Sequence, residues 1–331
     1  MIKPKVFISN IIPEKGINML RKRFEVEVNK TAGILKKNLL INKLKNTDVL
    51  LSLLSDIVDE EVILSSEKLK VISNYAVGYN NIDLKAATKR GIYVTNTPRT
   101  LDETTADFTF ALILSLARRL VESDKFMRAG KFKGWGALDF LGFDVFNSTM
   151  GVIGMGSIGK EVAKRGYYGF NMKILYYDRS VPPSALYMKV QKTSLDYLLK
   201  HSDFVTLNIP LTKETFHLIG ERELNLMKPT AYLINTSRGP VIDERALYKY
   251  LLNKKIAGAA LDVYEQEPSF TAGLEKLDNI IMTPHIASAS LQTRELMSVK
   301  AAQNIIDYFD GRVPEGLVNR EVLEGKHIII F

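Results

Sequence analysis

The chain alternates short apolar runs with longer amphipathic segments from one end to the other, which confines it to α/β architectures built on parallel sheet. Buried parallel strands read as continuous apolar stretches because helices cover both faces of the sheet. Such stretches lie near Lys5 to Ser9, Glu25 to Val28, Asp48 to Leu51, Lys70 to Ser73 and Tyr93 to Thr95, with helical segments between them. A second series runs through Thr149 to Ile153, Lys173 to Tyr177, Phe204 to Ile209, Ala231 to Asn235, Ala257 to Leu261 and Asn279 to Met282. Each series predicts one doubly wound unit, and 331 residues at about 150 per domain also give two. Between the series, Thr100-Leu101-Asp102-Glu103 has capping-box spacing ahead of an apolar stripe from Phe108 to Leu120, predicting one long helix over Thr100 to Ala129. A last helix is expected over about Ser290 to Asp310, and the apolar end Ile328-Ile329-Ile330-Phe331 has no assignment from its pattern.

With 46% hydrophobic and 25% charged residues, the chain is neither disordered nor fibrous. No apolar stretch approaches the roughly 20 residues a membrane span needs, and Met1 to Asn10 lacks the core and cleavage site of a signal peptide. A soluble, cytoplasmic protein with no membrane partner is expected. The absence of cysteine excludes disulfides, thiolate nucleophiles and Cys-ligated zinc, and no metal site is expected. Lys and Arg number 45 against 37 Asp and Glu, a balance that suits anionic small molecules. The charges are interspersed without a basic run, so nucleic-acid binding is not expected.

Gly154-Met155-Gly156-Ser157-Ile158-Gly159 follows the apolar Gly151-Val152-Ile153 and opens a helix expected to begin near Ile158. In that context the first glycine permits a tight turn, the second lets backbone approach a pyrophosphate, and the third lets helix and strand pack closely. Backbone N–H groups and the helix dipole then face the phosphates. Asp178 ends the next strand, 19 residues after Gly159. Its carboxylate can accept hydrogen bonds from an adenosine ribose and repel a 2′-phosphate, so NAD is the expected cofactor; Arg179 beside it leaves NADP open. The candidate cofactor-binding residues are Gly154, Gly156, Ser157, Ile158, Gly159 and Asp178, with Pro210 just beyond the strand ending at Ile209.

Ligands of open parallel sheets bind beyond the carboxyl ends of the strands, where Arg238, Glu267 and His285 follow three strands of the second series. These side chains suit reduction of a 2-oxo acid, in which hydride goes to the carbonyl carbon and a proton to its oxygen. Histidine supplies a proton near neutral pH, a neighbouring carboxylate favours imidazolium and orients the ring, and a guanidinium binds the substrate carboxylate. The other histidines, His201, His217 and His327, read as surface or capping residues.

The chain resembles the D-isomer-specific 2-hydroxyacid dehydrogenases, and within them the glyoxylate and hydroxypyruvate reductases, over essentially its full length. Four segments carry the resemblance: 74–83 (Asn-Tyr-Ala-Val-Gly-Tyr-Asn-Asn-Ile-Asp), the glycine fingerprint, Asn235-Thr236-Ser237-Arg238-Gly239, and Leu261-Asp262-Val263 through Glu267-Pro268 and Thr283-Pro284-His285. It implies a triad of Arg238, Glu267 and His285, with Val77 and Gly78 giving backbone N–H groups to the substrate carboxylate. Asp262 reads either as a local turn-bonding residue or, with the resemblance, as a ligand of the nicotinamide amide. The resemblance also implies a Rossmann-type cofactor domain over 99–287 and a discontinuous, flavodoxin-like substrate domain over 1–98 and 288–331. A homodimer joined largely through the Thr100 to Ala129 helix is a further implication. Ser157 stands where many relatives carry arginine, which removes a charged contact to the pyrophosphate, and Ala287 replaces a common glycine near His285.

The loop Leu51-Ser52-Leu53-Leu54-Ser55-Asp56 resembles the apolar substrate loop of the glyoxylate/hydroxypyruvate branch and offers no cation for a phosphate. Glyoxylate is therefore the first expected substrate and hydroxypyruvate the second, with Leu53, Leu54 and Trp135 shaping a small pocket. The alternatives are a D-lactate or phosphoglycerate dehydrogenase, or an NAD-sensing corepressor that binds protein partners.

Overall fold

The computed structural model describes residues 3–31, 33–180 and 188–324. Ile328 to Phe331 and His327 lie outside them. The chain forms two compact units, one made of residues up to Leu101 together with those from Ala289 on, the other of Asp102–Ser288.

The first unit runs β1 (Lys5–Ile8), α1 (Glu14–Arg21), β2 (Glu25–Val28), α2 (Lys37–Leu44), β3 (Val49–Ser52), α3 (Glu60–Leu64), β4 (Val71–Asn74), α4 (Leu84–Lys89) and β5 (Tyr93–Thr95). All five strands are parallel, in the order β2-β1-β3-β4-β5. The interior strands β3 and β4 are buried throughout, whereas the edge strand β2, Glu-Val-Glu-Val, alternates exposed and half-buried residues. Along β1 the side chains divide between two cores: Val6 and Ile8 pack with Ile17 and Leu20 of α1, and Phe7 packs with Leu40, Leu44 and Val62 on the opposite face.

The second unit runs α5 (Asp102–Ala117), α6 (Leu120–Arg128), β6 (Thr149–Ile153), α7 (Ser157–Lys164), β7 (Lys173–Tyr177), β8 (Val190–Lys192), α8 (Leu195–His201), β9 (Phe204–Leu207), α9 (Glu221–Leu226), β10 (Tyr232–Asn235), α10 (Glu244–Leu252), β11 (Gly258–Leu261) and β12 (Ile280–Met282). Its parallel strands lie in the order β12-β11-β10-β9-β6-β7-β8. The order reverses between β6 and β9, and the crevice beyond their carboxyl ends is where such sheets bind ligands. Both units are thus doubly wound parallel sheets. The chain then forms α11 (Leu291–Phe309), whose Ser290 cap accepts the N–H of Thr293. This helix returns to the first unit against α1. A Cβ on Gly16 would lie 2.2 Å from the carbonyl oxygen of Ser298, so the close crossing requires glycine there.

Two expectations from the sequence are corrected. The single helix over Thr100 to Ala129 is two helices, interrupted at Arg119, whose φ of 53° lies in the left-handed region. The N–H of Phe143 donates to the carbonyl of Ala117 at 2.9 Å, and Arg119 is bound by Glu122 through two hydrogen bonds. The returning chain satisfies a carbonyl of the broken helix end and the ion pair holds the Arg119 side chain, a tertiary effect that leaves no local breaker residue. The helix also opens at Asp102, with Thr100 Oγ1 donating to the carbonyl of Thr97. The second correction is β8, an unforeseen edge strand whose Val-Gln-Lys sequence has no apolar run because it is half to fully exposed.

Candidate active site

The glycine loop joins β6 to α7. Gly154 adopts φ 90°, and a Cβ on it would lie 2.5 Å from the carbonyl oxygen of Asn208. A Cβ on Gly159 would lie 2.0 Å from the carbonyl oxygen of Gly154, so helix and loop touch backbone to backbone. A Cβ on Gly156 would meet nothing within 4 Å, which leaves open the side from which a phosphate approaches. Ser157 is exposed and Ile158 half-buried in the first turn of α7, which begins one residue earlier than expected.

Beside this loop is a cavity of about 230 Å³ lined by Gly154, Gly156, Asp178, Arg179, Pro210 and Thr215, among others. Asp178 Oδ2 accepts the N–H of Met155 at 2.7 Å, and Oδ1 accepts the N–H and hydroxyl of Ser180. Burial disfavours its charge, but these donors and Lys192 hold the carboxyl below the usual aspartate range. Thr215 Oγ1 donates to the carbonyl of Pro210 and accepts the N–H of Thr212, which fixes the opposite wall. Asn208, also on the lining, has a buried Oδ1 that no hydrogen bond satisfies among the described residues. Open glycine, first-turn N–H groups, a charged carboxylate and a buried acceptor fit the phosphates and adenosine of a dinucleotide.

Three side chains beyond strand ends complete the site of the second unit. Arg238 leaves β10 in a turn built by Asn235, whose Nδ2 donates to the Arg238 carbonyl and whose Oδ1 accepts the N–H and hydroxyl of Ser237. Burial pulls the guanidinium below its ordinary value, and the charge of Glu267 opposes that shift. Glu267 Oε1 accepts the N–H of Tyr264 at 3.1 Å, and Oε2 lies 2.9 Å from Nδ1 of His285. Burial works against ionisation of Glu267, but His285, the Tyr264 N–H and Arg238 together hold it below the usual glutamate range. Tyr264 is locked by hydrogen bonds from its hydroxyl to the carbonyls of Leu261 and Thr283, and burial pushes that phenol up to about 12.

His285 has φ 55° and donates its N–H to the carbonyl of Asp262 at 2.8 Å. The buried Asp262 carboxylate accepts from Thr283 Oγ1 and from the N–H groups of Ile286 and Ala287, at 2.7, 2.8 and 2.8 Å. Its oxygens therefore belt the turn that presents His285, a role for the local turn-bonding reading. The structure brings Glu267 into contact with His285 and places Arg238 in the field of Glu267.

In the first unit, Leu53, Val77 and Gly78 are half-buried. Asn81 Nδ2 donates to the carbonyls of Leu53 and Asp56, Asn74 Nδ2 to that of Gly78, and Asn96 Nδ2 to that of Val77. The carbonyls of Val77 and Gly78 are thus held by asparagine side chains, which fixes this loop. Trp135 is 87% exposed on the second unit. His201 bonds the carbonyl of Tyr197 on α8, as a capping residue does. His217 is half-buried and paired with Glu265 at 3.0 Å; its polar surroundings in sequence gave no sign of that partner. Among the described residues no cluster of His, Asp and Glu is arranged to hold a metal, and no helix is long and apolar enough to cross a membrane.

A family profile described as "D-isomer specific 2-hydroxyacid dehydrogenase, NAD binding domain" matches residues 110–287. A glyoxylate reductase from Thermococcus gammatolerans is 50% identical over 330 residues, 98% of each chain. Among solved structures, the TT0316 protein from Thermus thermophilus superposes with a TM-score of 0.90 at 40% identity, covering 95% of this chain and 99% of that one. An NADPH-dependent glyoxylate/hydroxypyruvate reductase from Sinorhizobium meliloti, in complex with NADP and malonate, gives 0.87 at 28% identity, covering 97% and 98%. With its glycine loop, its strand-end Arg, Glu and His and its sheet order, the chain belongs to the D-isomer specific 2-hydroxyacid dehydrogenases, NAD(P)-dependent oxidoreductases.

Proposed function

We propose that the chain reduces glyoxylate to glycolate, with hydroxypyruvate as a second substrate, using 1–98 and 288–331 as its substrate domain and 99–287 as its dinucleotide domain. The observation that carries this reading is the 2.9 Å contact between His285 Nδ1 and Glu267 Oε2 beyond the carboxyl edge of a nucleotide-binding sheet. A bound nicotinamide cofactor supplies hydride to the carbonyl carbon. His285 delivers a proton from Nε2 to the carbonyl oxygen, because Nδ1 is engaged by Glu267. Glu267 stabilises the imidazolium and fixes the ring. Arg238 binds the substrate carboxylate and polarises the carbonyl, with Val77 and Gly78 contributing N–H groups and Leu53 an apolar wall. The glycine loop, Ser157, Ile158, Asp178 and Pro210 hold the cofactor, while the buried Asp262 serves the turn that presents His285. Ser157 offers no guanidinium to the pyrophosphate, so the N–H groups of the first turn of α7 carry more of that contact.

NAD is the favoured cofactor on this reading because Asp178 stays ionised beside the cavity. Arg179 lines the same cavity, so NADPH is accepted at lower efficiency. The protein works as a cytoplasmic homodimer. Phe132, Trp135, Leu138, Leu141, Phe143 and Phe146 are all 47% exposed or more within fifteen residues, a concentration of apolar surface that a second subunit would cover. A panel of NADH and NADPH against glyoxylate, hydroxypyruvate, pyruvate and phosphohydroxypyruvate tests the assignment. Highest kcat/KM for NADH with glyoxylate is expected; preference for phosphohydroxypyruvate, or no turnover of any 2-oxo acid, contradicts it.

A further inference from the structure

His217, which has no role in the proposed chemistry, joins three segments that do. It follows Glu214 and Thr215 and precedes Leu218, all on the cavity wall beside the glycine loop. Its N–H donates to the carbonyl of Pro240 at 2.8 Å, two residues past Arg238. Its Nε2 lies 3.0 Å from Glu265 Oε1, two residues ahead of Glu267. The Arg238 turn and the Glu265 segment also meet directly, since a Cβ on Gly239 would lie 1.9 Å from the Tyr264 carbonyl. Beneath them Glu244, 1% exposed, accepts the N–H groups of Glu265 and Thr271. The His217 ring stacks on Phe216 with centroids 4.0 Å apart.

The backbone of His217 has φ 50°, in the left-handed region that a residue with a side chain holds only where its surroundings impose it. His285 has the same property. Two imidazole–carboxylate pairs therefore hang from one short segment, His217 on Glu265 and His285 on Glu267.

We infer that the His217–Glu265 pair is a positioning pair, which ties the cofactor-pocket loop to the Arg238 turn and to the segment that aims Glu267 at His285. The inference deepens the proposed function and rests on the roles given there to Arg238, Glu267 and His285. Losing the pair frees the Glu265 side of that segment while the Tyr264 and Glu244 bonds remain, so Glu267 shifts relative to the imidazole without the unit unfolding. Misplacement of a reacting group by about 1 Å costs up to roughly a hundredfold in rate, and a partial displacement here should cost about tenfold.

The test uses His217→Asn, Glu265→Ala and Glu265→Gln in the full chain. Asparagine tolerates the left-handed backbone but is too short to reach Glu265. Glutamine keeps an acceptor oxygen for the His217 ring. The first two variants are expected to lower kcat for glyoxylate reduction by about tenfold while KM for glyoxylate changes by less than about threefold, with Glu265→Gln recovering most of the rate. The ¹⁵N shift of His285 Nδ1, recorded without substrate, should move in His217→Asn and Glu265→Ala and stay near wild type in Glu265→Gln. An unmoved ¹⁵N signal in both damaging variants overturns the inference, as does equal impairment of Glu265→Gln and Glu265→Ala. If the wild-type protein reduces no 2-oxo acid, the proposed activity fails while the nitrogen signal still decides the positioning claim.

Discussion

Replacing Glu267 by glutamine keeps the shape of the His285 contact and removes its charge. Opposite unit charges about 4 Å apart attract by about 1 kcal/mol at the dielectric of water and about 4 kcal/mol at an effective dielectric of 20. The His285 and Glu267 side chains are 28% and 38% exposed, so solvent screens the pair and the lower part of that range applies, about 1–2 kcal/mol. Removing an attraction of that size for the protonated ring should therefore lower kcat/KM for glyoxylate reduction by about tenfold in Glu267→Gln. Steady-state kinetics with NADH read this directly. An unchanged kcat/KM would show that Glu267 does not assist the proton donor.

Asp178→Ala should raise kcat/KM with NADPH relative to NADH by about tenfold or more, since it removes a carboxylate whose repulsion of a 2′-phosphate is worth about 1–3 kcal/mol; a constant cofactor ratio contradicts that role. Asp262→Ala leaves Thr283, Ile286 and Ala287 without their acceptor and should cost about 2–4 kcal/mol in denaturant unfolding, with His285 loosened and kcat lowered. Gly159→Ala drives a methyl against the Gly154 carbonyl and should abolish NADH binding by calorimetry before it abolishes the fold of the second unit. Because Glu267 is held below the glutamate range, its folded-state stabilisation is full above about pH 4.3 and is lost as pH falls through the depressed value. Acid unfolding of Glu267→Gln should lack that component.

The cofactor strand, turn and helix were legible because three glycines and an acid each answer a backbone or charge requirement, and Arg238, Glu267 and His285 because reactive side chains follow strand ends. What escaped depends on contacts distant in sequence. Nothing near Arg119 marks a helix break, since the capping comes from the chain at Phe143. Val190 to Lys192 pairs only along an exposed edge and needs no apolar run. His217 read as a surface residue because its partner Glu265 lies 48 positions away, and the clamp of Asp262 on the His285 turn arises from side-chain acceptors meeting backbone donors of a loop that has no periodic signature. The asparagines that hold the Leu53 and Val77 loops escaped for the same reason.

The most direct measurement is single-turnover reduction of glyoxylate by His285→Ala saturated with NADH. With circular dichroism and NADH affinity matching wild type, the rate of NADH oxidation should fall by about 10²- to 10⁴-fold. A rate within a few-fold of wild type would mean that the proton reaches the carbonyl oxygen from another group.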